Sequence, residues 1–208
     1  MKTSDWLRSE PWYEQEVFII GGGSSLKDFD FKLLEKLNTV GCNDAYKLGS
    51  TVCKICVFGD LNWYRHHKDK LTEYDGVIVT NVEAISGEYP SWVYQFDRLS
   101  NGLSKTALGW NSCTGFAAIN LALILGAKTV YLLGFDMEVR NGKTNYHDEI
   151  IHPRAVLPSS YQMFLSRWKN VVKDLHKFPN RRIVNINDNN RLDGIDSISV
   201  EDYWKGKV

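Results

Sequence analysis

Two histidines, His147 and His152, stand five residues apart in the polar segment KTNYHDEIIHPRAV. An imidazole titrates near neutral pH, so either ring could act as a general base that takes a proton from a hydroxyl nucleophile. Their spacing does not bring the two rings onto one helical face, so the pair is not a metal-binding motif. His147 and His152 are therefore alternative candidates for one catalytic base.

A run of glycines and serines ends the apolar stretch VFII and precedes the segment SLKDFDFKLLEKL, which we predict to be helical. A turn without β-carbons lets a phosphate approach backbone N–H groups, and a helix N-terminus adds partial positive charge. No Gly-Lys-Ser/Thr follows as in a P-loop, and Leu26 excludes Gly-x-Gly-x-x-Gly. The run is thus a generic nucleotide-binding signal, whose candidate contacts are Gly21, Gly22, Gly23, Ser24 and Ser25.

A second small-residue turn lies in GWNSCTGFAAINLAL, before an apolar segment that we predict to be a helix. Ser112 or Thr114 could cap that helix, and Gly115 could allow a ligand to approach its first turn. Equally, Gly115 could let a buried helix pack close to a sheet. Thr114 and Gly115 are the candidate ligand contacts of this turn.

The elements that must position these residues are six apolar runs that end in small or acidic residues. Most of the runs are continuous, as in strands covered on both faces. They are VFIIGGGSS (17–25), TVGCNDAY (39–46), KICVFGD (54–60), GVIVTN (76–81), TVYLLGFDM (129–137) and RIVNIND (182–188). The helices predicted between them are SLKDFDFKLLEKL, LNWYRHHKDKLTEY, SCTGFAAINLALILGA and LPSSYQMFLSRWKNVVKDLHKF.

This alternation predicts an α/β protein with a three-layer, Rossmann-like fold and a mostly parallel sheet. The 208 residues suffice for one substantial core, so we expect a single domain over 1–208, with 1–15 and 190–208 peripheral. In such sheets the ligand lies beyond the carboxyl ends of the strands, near a switch in strand order. The polar residues at those ends are Gly21 to Ser25, Asn43 with Asp44, Gly59 with Asp60, Asn81 and Asp136.

Asp60 and Asp136 each end a predicted strand. Carboxylate oxygens suit Mg²⁺, so this pair could hold the ion on a diphosphate. Alternatively, the two side chains could bind a ribose or cap loops.

Composition excludes several classes of protein. Lysine plus arginine (25) equals aspartate plus glutamate (25), so the net charge indicates neither a nucleic acid nor an anionic membrane as partner. No stretch approaches the roughly 20 apolar residues of a spanning helix, and the start of the sequence lacks the apolar segment of a secretion signal. We expect a cytoplasmic protein.

The remaining cysteines and histidines are interpreted as structural. The C-x-x-C pair Cys53 and Cys56 lacks the second pair of a zinc ribbon, and its odd spacing in a strand would put the two thiols on opposite faces. We expect reduced, partly buried thiols. His66, His67 and His176 are predicted to lie on exposed helix faces.

Taken together, VFIIGGGSSL, VGCNDAY, VFGD and SCTGFAAINLALILGAKTVYLLGFDM resemble, in order and spacing, the core of the bacterial family 42 sialyltransferases. The resemblance covers most of residues 17 to 137. It extends to a superfamily of proteins often encoded in phage or surface-polysaccharide loci, and to archaeal hydroxymethylpterin pyrophosphokinases.

The resemblance implies roles for matched positions. Gly21, Gly23 and Ser25 would line the phosphates, and Asn43 would hold the ribose or a phosphate. Gly59 with Asp60 would stand at a further nucleotide contact, and Thr114 with Gly115 would touch the cytidine nucleotide. Tyr146 would donate a hydrogen bond to the departing phosphate. A histidine beyond the tyrosine would be the base, and His152, nearer the following helix, is preferred over His147.

The resemblance implies an enzyme, a glycosyltransferase that moves a sugar from a cytidine or uridine nucleotide donor to a hydroxyl acceptor. The acceptor would be a glycan or small molecule, since neutral charge disfavours a modified nucleic acid base. One alternative is a magnesium-dependent diphosphokinase that acts on a hydroxymethyl heterocycle and needs Asp60 and Asp136. The other is a non-catalytic nucleotide-binding module.

Overall fold

The computed structural model describes residues 3–83, 88–140, 142–143, 145–147 and 158–205. The helices are α1 (Thr3–Arg8), α2 (Leu61–Leu71), α3 (Thr114–Ile124), α4 (Pro158–Asp174) and α5 (Val200–Trp204). The strands are β1 (Glu16–Ile20), β2 (Asn38–Cys42), β3 (Ile55–Phe58), β4 (Val77–Thr80), β5 (Val93–Gln95), β6 (Arg98–Leu99), β7 (Leu108–Gly109), β8 (Thr129–Leu133), β9 (Arg182–Ile186) and β10 (Asp196–Ile198). Short 3₁₀ helices cover Ser24–Leu26, Phe31–Leu34, Asn43–Leu48 and Leu175–Lys177.

Eight strands form one sheet in the order β10-β9-β8-β1-β2-β3-β4-β5, and each pairing in it is parallel. From β1 the chain builds the sheet outward to β5, and it then returns to add β8, β9 and β10 on the other side of β1. The strand order therefore switches between β1 and β8, which is where open α/β sheets bind ligands.

The two faces of the sheet are covered by different helices, as alternation along β1 requires. Val17 and Ile19 face the core beneath α3 and α4, whereas Phe18 and Ile20 face the core beneath α2 and α5. Helix α3 is buried almost all round, so Phe116 is fully enclosed. Burial of a side chain of this size contributes about 1.5–3 kcal/mol. The predicted fold, a three-layer Rossmann-like α/β domain with a parallel sheet, is confirmed.

Three of the predicted helices form as α2, α3 and α4, and Gly126 ends α3 with a φ of +91° that favours glycine. The prediction of an α-helix directly after β1 was wrong, because two 3₁₀ turns occupy that segment. Between them, Asp30 is extended and its carboxylate accepts the N–H of Lys32 at 3.0 Å. Such a local hydrogen bond competes with the helical one and interrupts the helix.

His67 contradicts its prediction, since it is fully buried on the inner face of α2. It shares that face with Trp63, Tyr64 and Leu71 at helical spacing. His66 and His176 are exposed as expected.

The prediction that Cys53 and Cys56 face opposite sides was also wrong. Strand β3 begins only at Ile55, so Cys53 precedes the pleat and joins the same core cluster as Cys56. Cys42, Cys53 and Cys56 are buried and Cys113 is half-buried, all as free thiols.

Both terminal segments pack on the sheet. Leu7 and Trp12 lie in the core beneath α3, Tyr203 lies in the opposite core, and β10 forms one edge of the sheet. Among the described helices, none combines the length and apolarity that crossing a bilayer requires.

Candidate functional site

The glycine turn after β1 is bonded to the turn after β8, at the switch in strand order. The N–H of Gly21 donates to Leu133 O at 2.8 Å, and that of Gly23 donates to Gly134 O at 2.9 Å. A β-carbon on Gly21 would lie 2.7 Å from Gly134 O, and one on Gly23 would lie 2.5 Å from the same atom. The protein's own backbone therefore requires glycine at both positions.

Asp136 fixes the serines of this turn. Its carboxylate is 2% exposed and accepts hydrogen bonds from Ser25 N at 2.9 Å, Ser25 Oγ at 2.5 Å and Asn187 Nδ2 at 2.8 Å. The expected helix cap by Ser24 or Ser25 is thus absent: the 3₁₀ turn follows Gly23 without a side-chain cap, and both hydroxyls point to Asp136.

Two backbone N–H groups of the glycine turn are candidate ligand contacts. Among the described residues, no hydrogen-bond acceptor pairs with the N–H of Gly22 or Ser24. Both residues are half-buried. Backbone N–H groups in a small-residue turn can bind an anion, so these two are the best phosphate contacts that the turn offers.

Residues 145–147 lie across the glycine turn. Tyr146 donates its N–H to Gly22 O at 3.0 Å, and its ring packs against Phe31 with centroids 5.4 Å apart. Burial, together with the nearby carboxylate of Asp44, raises the pKa of Tyr146 well above its ordinary value. Tyr146 is therefore a neutral hydroxyl that can donate a hydrogen bond at neutral pH.

His147, the next residue, approaches the end of β2. Its Nδ1 lies 3.8 Å from Asp44 Oδ2, and its side chain is 25% exposed. The structure thus brings His147 and Tyr146 together with the glycine turn. His152, the preferred base, lies outside the described residues.

Asn43, the first residue after β2, has an unusual backbone and an unpaired acceptor. Its φ is +51°, a left-handed conformation that asparagine tolerates better than most residues. Its Oδ1 is buried, and no donor among the described residues reaches it. Buried polar atoms are nearly always satisfied, so this oxygen is suited to a donor group on a ligand.

The start of α3 lies beside the same turn. A β-carbon on Gly115 would lie 2.8 Å from the ring of Phe135. A β-carbon on Gly21 would lie 3.1 Å from the same ring. Phe135 thus fills the space between the two glycine sites, so Gly115 serves close packing. The helix follows Cys113 without a side-chain cap, so the cap expected from Ser112 or Thr114 is absent.

Gly59 and Asp60, at the end of β3, have structural partners. A β-carbon on Gly59 would overlap the indole of Trp110. Asp60 Oδ1 accepts the N–H of Trp63 at 3.0 Å and so caps α2.

Asp60 and Asp136 do not share a magnesium site. They follow β3 and β8, which are three strand spacings apart, or about 14 Å. Across the described ranges, no group of three histidines, cysteines, aspartates or glutamates is arranged to hold a metal ion.

Sequence reasoning missed two features of this edge. Arg98 donates to Asn81 O at 2.9 Å and Gly59 O at 3.1 Å, and its guanidinium lies 4.5 Å from the Trp110 ring centre. No sequence pattern indicated Arg98, because its position depends on the path after β5. Asn187, which contacts Asp136, follows β9 and lies in the run RIVNIND. Its place at a predicted strand end was therefore a signal that could have identified it.

Comparisons with known proteins support the fold. No protein-family model matches the chain, and no curated protein matches it. Among solved structures, it is similar to the sialyltransferase CstII from Campylobacter jejuni in complex with a substrate analogue, cytidine-5'-monophosphate. The identity is 16% and the TM-score 0.54, over 90% of this chain and 86% of that one. The likeness is one of fold.

Proposed function

We propose that this protein is a glycosyltransferase that moves a sugar from a nucleotide-activated donor to a hydroxyl acceptor. The observation that carries the proposal is the path of residues 145–147 across the ends of β1 and β2, where Tyr146 bonds Gly22 and His147 approaches Asp44. Candidate groups for phosphate binding and for proton transfer therefore lie together at the carboxyl ends of β1 and β2. The fold likeness to a sialyltransferase solved with cytidine-5'-monophosphate supports a cytidine nucleotide, and a uridine nucleotide is the alternative.

The donor nucleotide would lie along the carboxyl ends of β1 and β2. The N–H groups of Gly22 and Ser24 would bind its phosphate, with the start of α3 at Thr114 adding partial positive charge. Asn43 Oδ1 would accept a hydrogen bond from a ribose hydroxyl or from the base. This would satisfy the buried oxygen that has no donor among the described residues.

The transfer would exchange one bond for another at the anomeric carbon of the sugar. The bond from this carbon to the phosphate oxygen breaks as a bond from the acceptor oxygen forms. Negative charge develops on the leaving phosphate, where the Tyr146 hydroxyl would donate a hydrogen bond. The proton of the acceptor hydroxyl would pass to His147 or His152, a step that typically contributes 10²- to 10⁴-fold in rate.

Isothermal titration calorimetry with CMP, UMP, AMP and GMP tests the binding half of the proposal. We expect CMP or UMP to bind the wild-type protein and Asn43→Ala to weaken that binding about five- to twelvefold, since one lost hydrogen bond costs about 1–1.5 kcal/mol. Asn38→Ala is the matched control, because Asn38 begins the same strand at the opposite edge of the sheet and bonds Gln15. No binding by any nucleotide, or undiminished binding in Asn43→Ala, would contradict the site.

Nucleotide release from CMP-N-acetylneuraminic acid and from UDP-sugars, followed by chromatography, tests the catalytic half. The double variant His147→Gln/His152→Gln should keep the nucleotide affinity and lose donor cleavage. If the double variant cleaves the donor at the wild-type rate, neither histidine is the base. If no donor is cleaved by a wild-type protein that binds nucleotide, the protein is a binding module.

A further inference from the structure

We infer that Asp44 is a positioning residue for His147 and that it determines which imidazole nitrogen of His147 takes the proton. The inference rests on the proposed function and deepens it at the same site. It starts from the arrangement of four side chains around one buried carboxylate.

Asp44 is held in a fixed orientation after β2. Its carboxylate is 5% exposed; Oδ1 accepts the indole N–H of Trp63 at 2.7 Å, and Oδ2 pairs with Lys47 Nζ at 2.8 Å. These partners offset part of the cost of burying the carboxylate. Asp44 therefore presents a localised negative charge at the carboxyl end of β2.

His67 supports this carboxylate from within the core. Its Nε2 lies 3.5 Å from Asp44 Oδ1, and its Nδ1 lies 2.9 Å from Tyr46 Oη. The tautomer of His67 with its hydrogen on Nε2 directs that hydrogen toward the carboxylate and lets Nδ1 accept from the tyrosine hydroxyl. His67 is fully buried and stacks on Trp63 with centroids 4.5 Å apart. It is enclosed, so its role is to hold Asp44 and Trp63 in place.

His147 faces the other carboxylate oxygen. Its Nδ1 lies 3.8 Å from Asp44 Oδ2, and its ring packs edge-on to Tyr146 with centroids 5.1 Å apart. By the same argument the nitrogen that faces the carboxylate carries the hydrogen, so the lone pair of His147 is on Nε2. The 3.8 Å separation is longer than a hydrogen bond, and catalytic contacts of this kind commonly shorten once substrate binds.

This arrangement gives Asp44 two effects on the reaction. It fixes the tautomer in which Nε2 accepts the proton of the acceptor hydroxyl, and it stabilises the imidazolium that forms. A purely structural Asp44, which served only to bind Lys47 and Trp63, would have neither effect.

The test is the variant Asp44→Asn, which keeps the shape of the side chain. Its amide can donate to His147 Nδ1, so the hydrogen of the ring should move to Nε2. The measurement is a two-bond ¹H–¹⁵N NMR spectrum of the histidine rings, recorded at a pH where the ring is neutral and assigned with the spectrum of His147→Gln. It should show Nδ1–H for His147 in the wild type and Nε2–H in Asp44→Asn. We expect kcat for cleavage of whichever nucleotide sugar the wild type cleaves to fall about 10²- to 10⁴-fold, with KM within about twofold.

Asp69→Asn is the matched control, because Asp69 is exposed on α2, and it should leave the tautomer and kcat unchanged. Nε2–H in wild-type His147 would overturn the inference, and so would an unchanged tautomer in Asp44→Asn. If Asp44→Asn does not fold, the wild-type spectrum still decides, and Asp44→Glu should retain Nδ1–H. Failure of the wild type to cleave any nucleotide sugar would overturn the proposed function, while the NMR measurement would still test Asp44.

Discussion

Asp136 accepts two hydrogen bonds from Ser25, one from the backbone N–H at 2.9 Å and one from the hydroxyl at 2.5 Å. These bonds join the turns after β8 and β1, the two strands between which the strand order switches. Asn187, after β9, adds a third donor at 2.8 Å. The ends of three neighbouring strands thus converge on one buried acceptor, which sets the shape of the glycine turn.

The variant Asp136→Asn should lower the free energy of unfolding by about 1–3 kcal/mol, because it places an amide N–H₂ among groups that are already donors. Urea unfolding followed by circular dichroism measures the change. Asp69→Asn, on the exposed face of α2, is the control and should change stability by less than about 0.5 kcal/mol. Equal stabilities for Asp136→Asn and the wild type would contradict a structural role for this carboxylate.

Alanine scanning of the three consecutive glycines should give opposite results at adjacent positions. Alanine at Gly21 or Gly23 brings a β-carbon within 2.7 Å of the Gly134 carbonyl, and we expect a loss of about 1–3 kcal/mol. At Gly22 the nearest atom is Asn145 Oδ1 at 3.2 Å, a side chain that can move. Reduced freedom of the unfolded chain then makes Gly22→Ala neutral or stabilising by up to about 1 kcal/mol.

The same urea titrations give these three values, and Gly22→Ala is the internal control for the other two. An equal loss at all three positions would contradict the assigned contacts. If Gly22→Ala weakens nucleotide binding while the fold is as stable as the wild type, that result would support Gly22 as a phosphate contact.

The sequence predicts the layers of this protein better than the details of its site. Continuous apolar runs identified the buried strands, since a strand covered on both faces has few polar positions. The same runs located Asn43, Asp60 and Asp136 at one edge of the sheet. Composition could not reveal that Asp60 caps α2 or that Asp136 bonds Ser25, because aspartate at a strand end suits a cap, a turn and a ligand equally.

Tertiary contacts explain the remaining errors. The glycine run signalled a close approach, but its partner, the turn of Gly134 to Asp136, lies more than a hundred residues away in the chain. His67 was misplaced because its charge-bearing neighbours in YRHHKDK suggested an exposed face. Its spacing from Trp63 and Leu71 was the better signal, since residues three and four apart share one face of a helix.

Cys113 provides a chemical reporter at the start of α3. It is half-buried, whereas Cys42, Cys53 and Cys56 are buried, so we expect it to be the first thiol alkylated by iodoacetamide. Burial raises the pKa of Cys113 to about 11, although the N–H groups of Phe116 and Gly115 partly oppose this. The thiolate fraction is therefore about 0.001 at pH 8 and grows about tenfold per pH unit below the pKa, and the labelling rate should follow it.

Saturating CMP should slow this labelling, since Cys113 directly precedes Thr114 and Gly115 in the candidate site. Mass spectrometry of tryptic peptides identifies the labelled thiol, and Cys113→Ser should remove the fast adduct. In Asn43→Ala, protection should require a CMP concentration higher by the factor by which the substitution weakens binding. Faster labelling of Cys53 or Cys56 than of Cys113 would contradict the order of burial. Equal labelling rates of Cys113 with and without bound CMP would show that the nucleotide does not bind next to the start of α3.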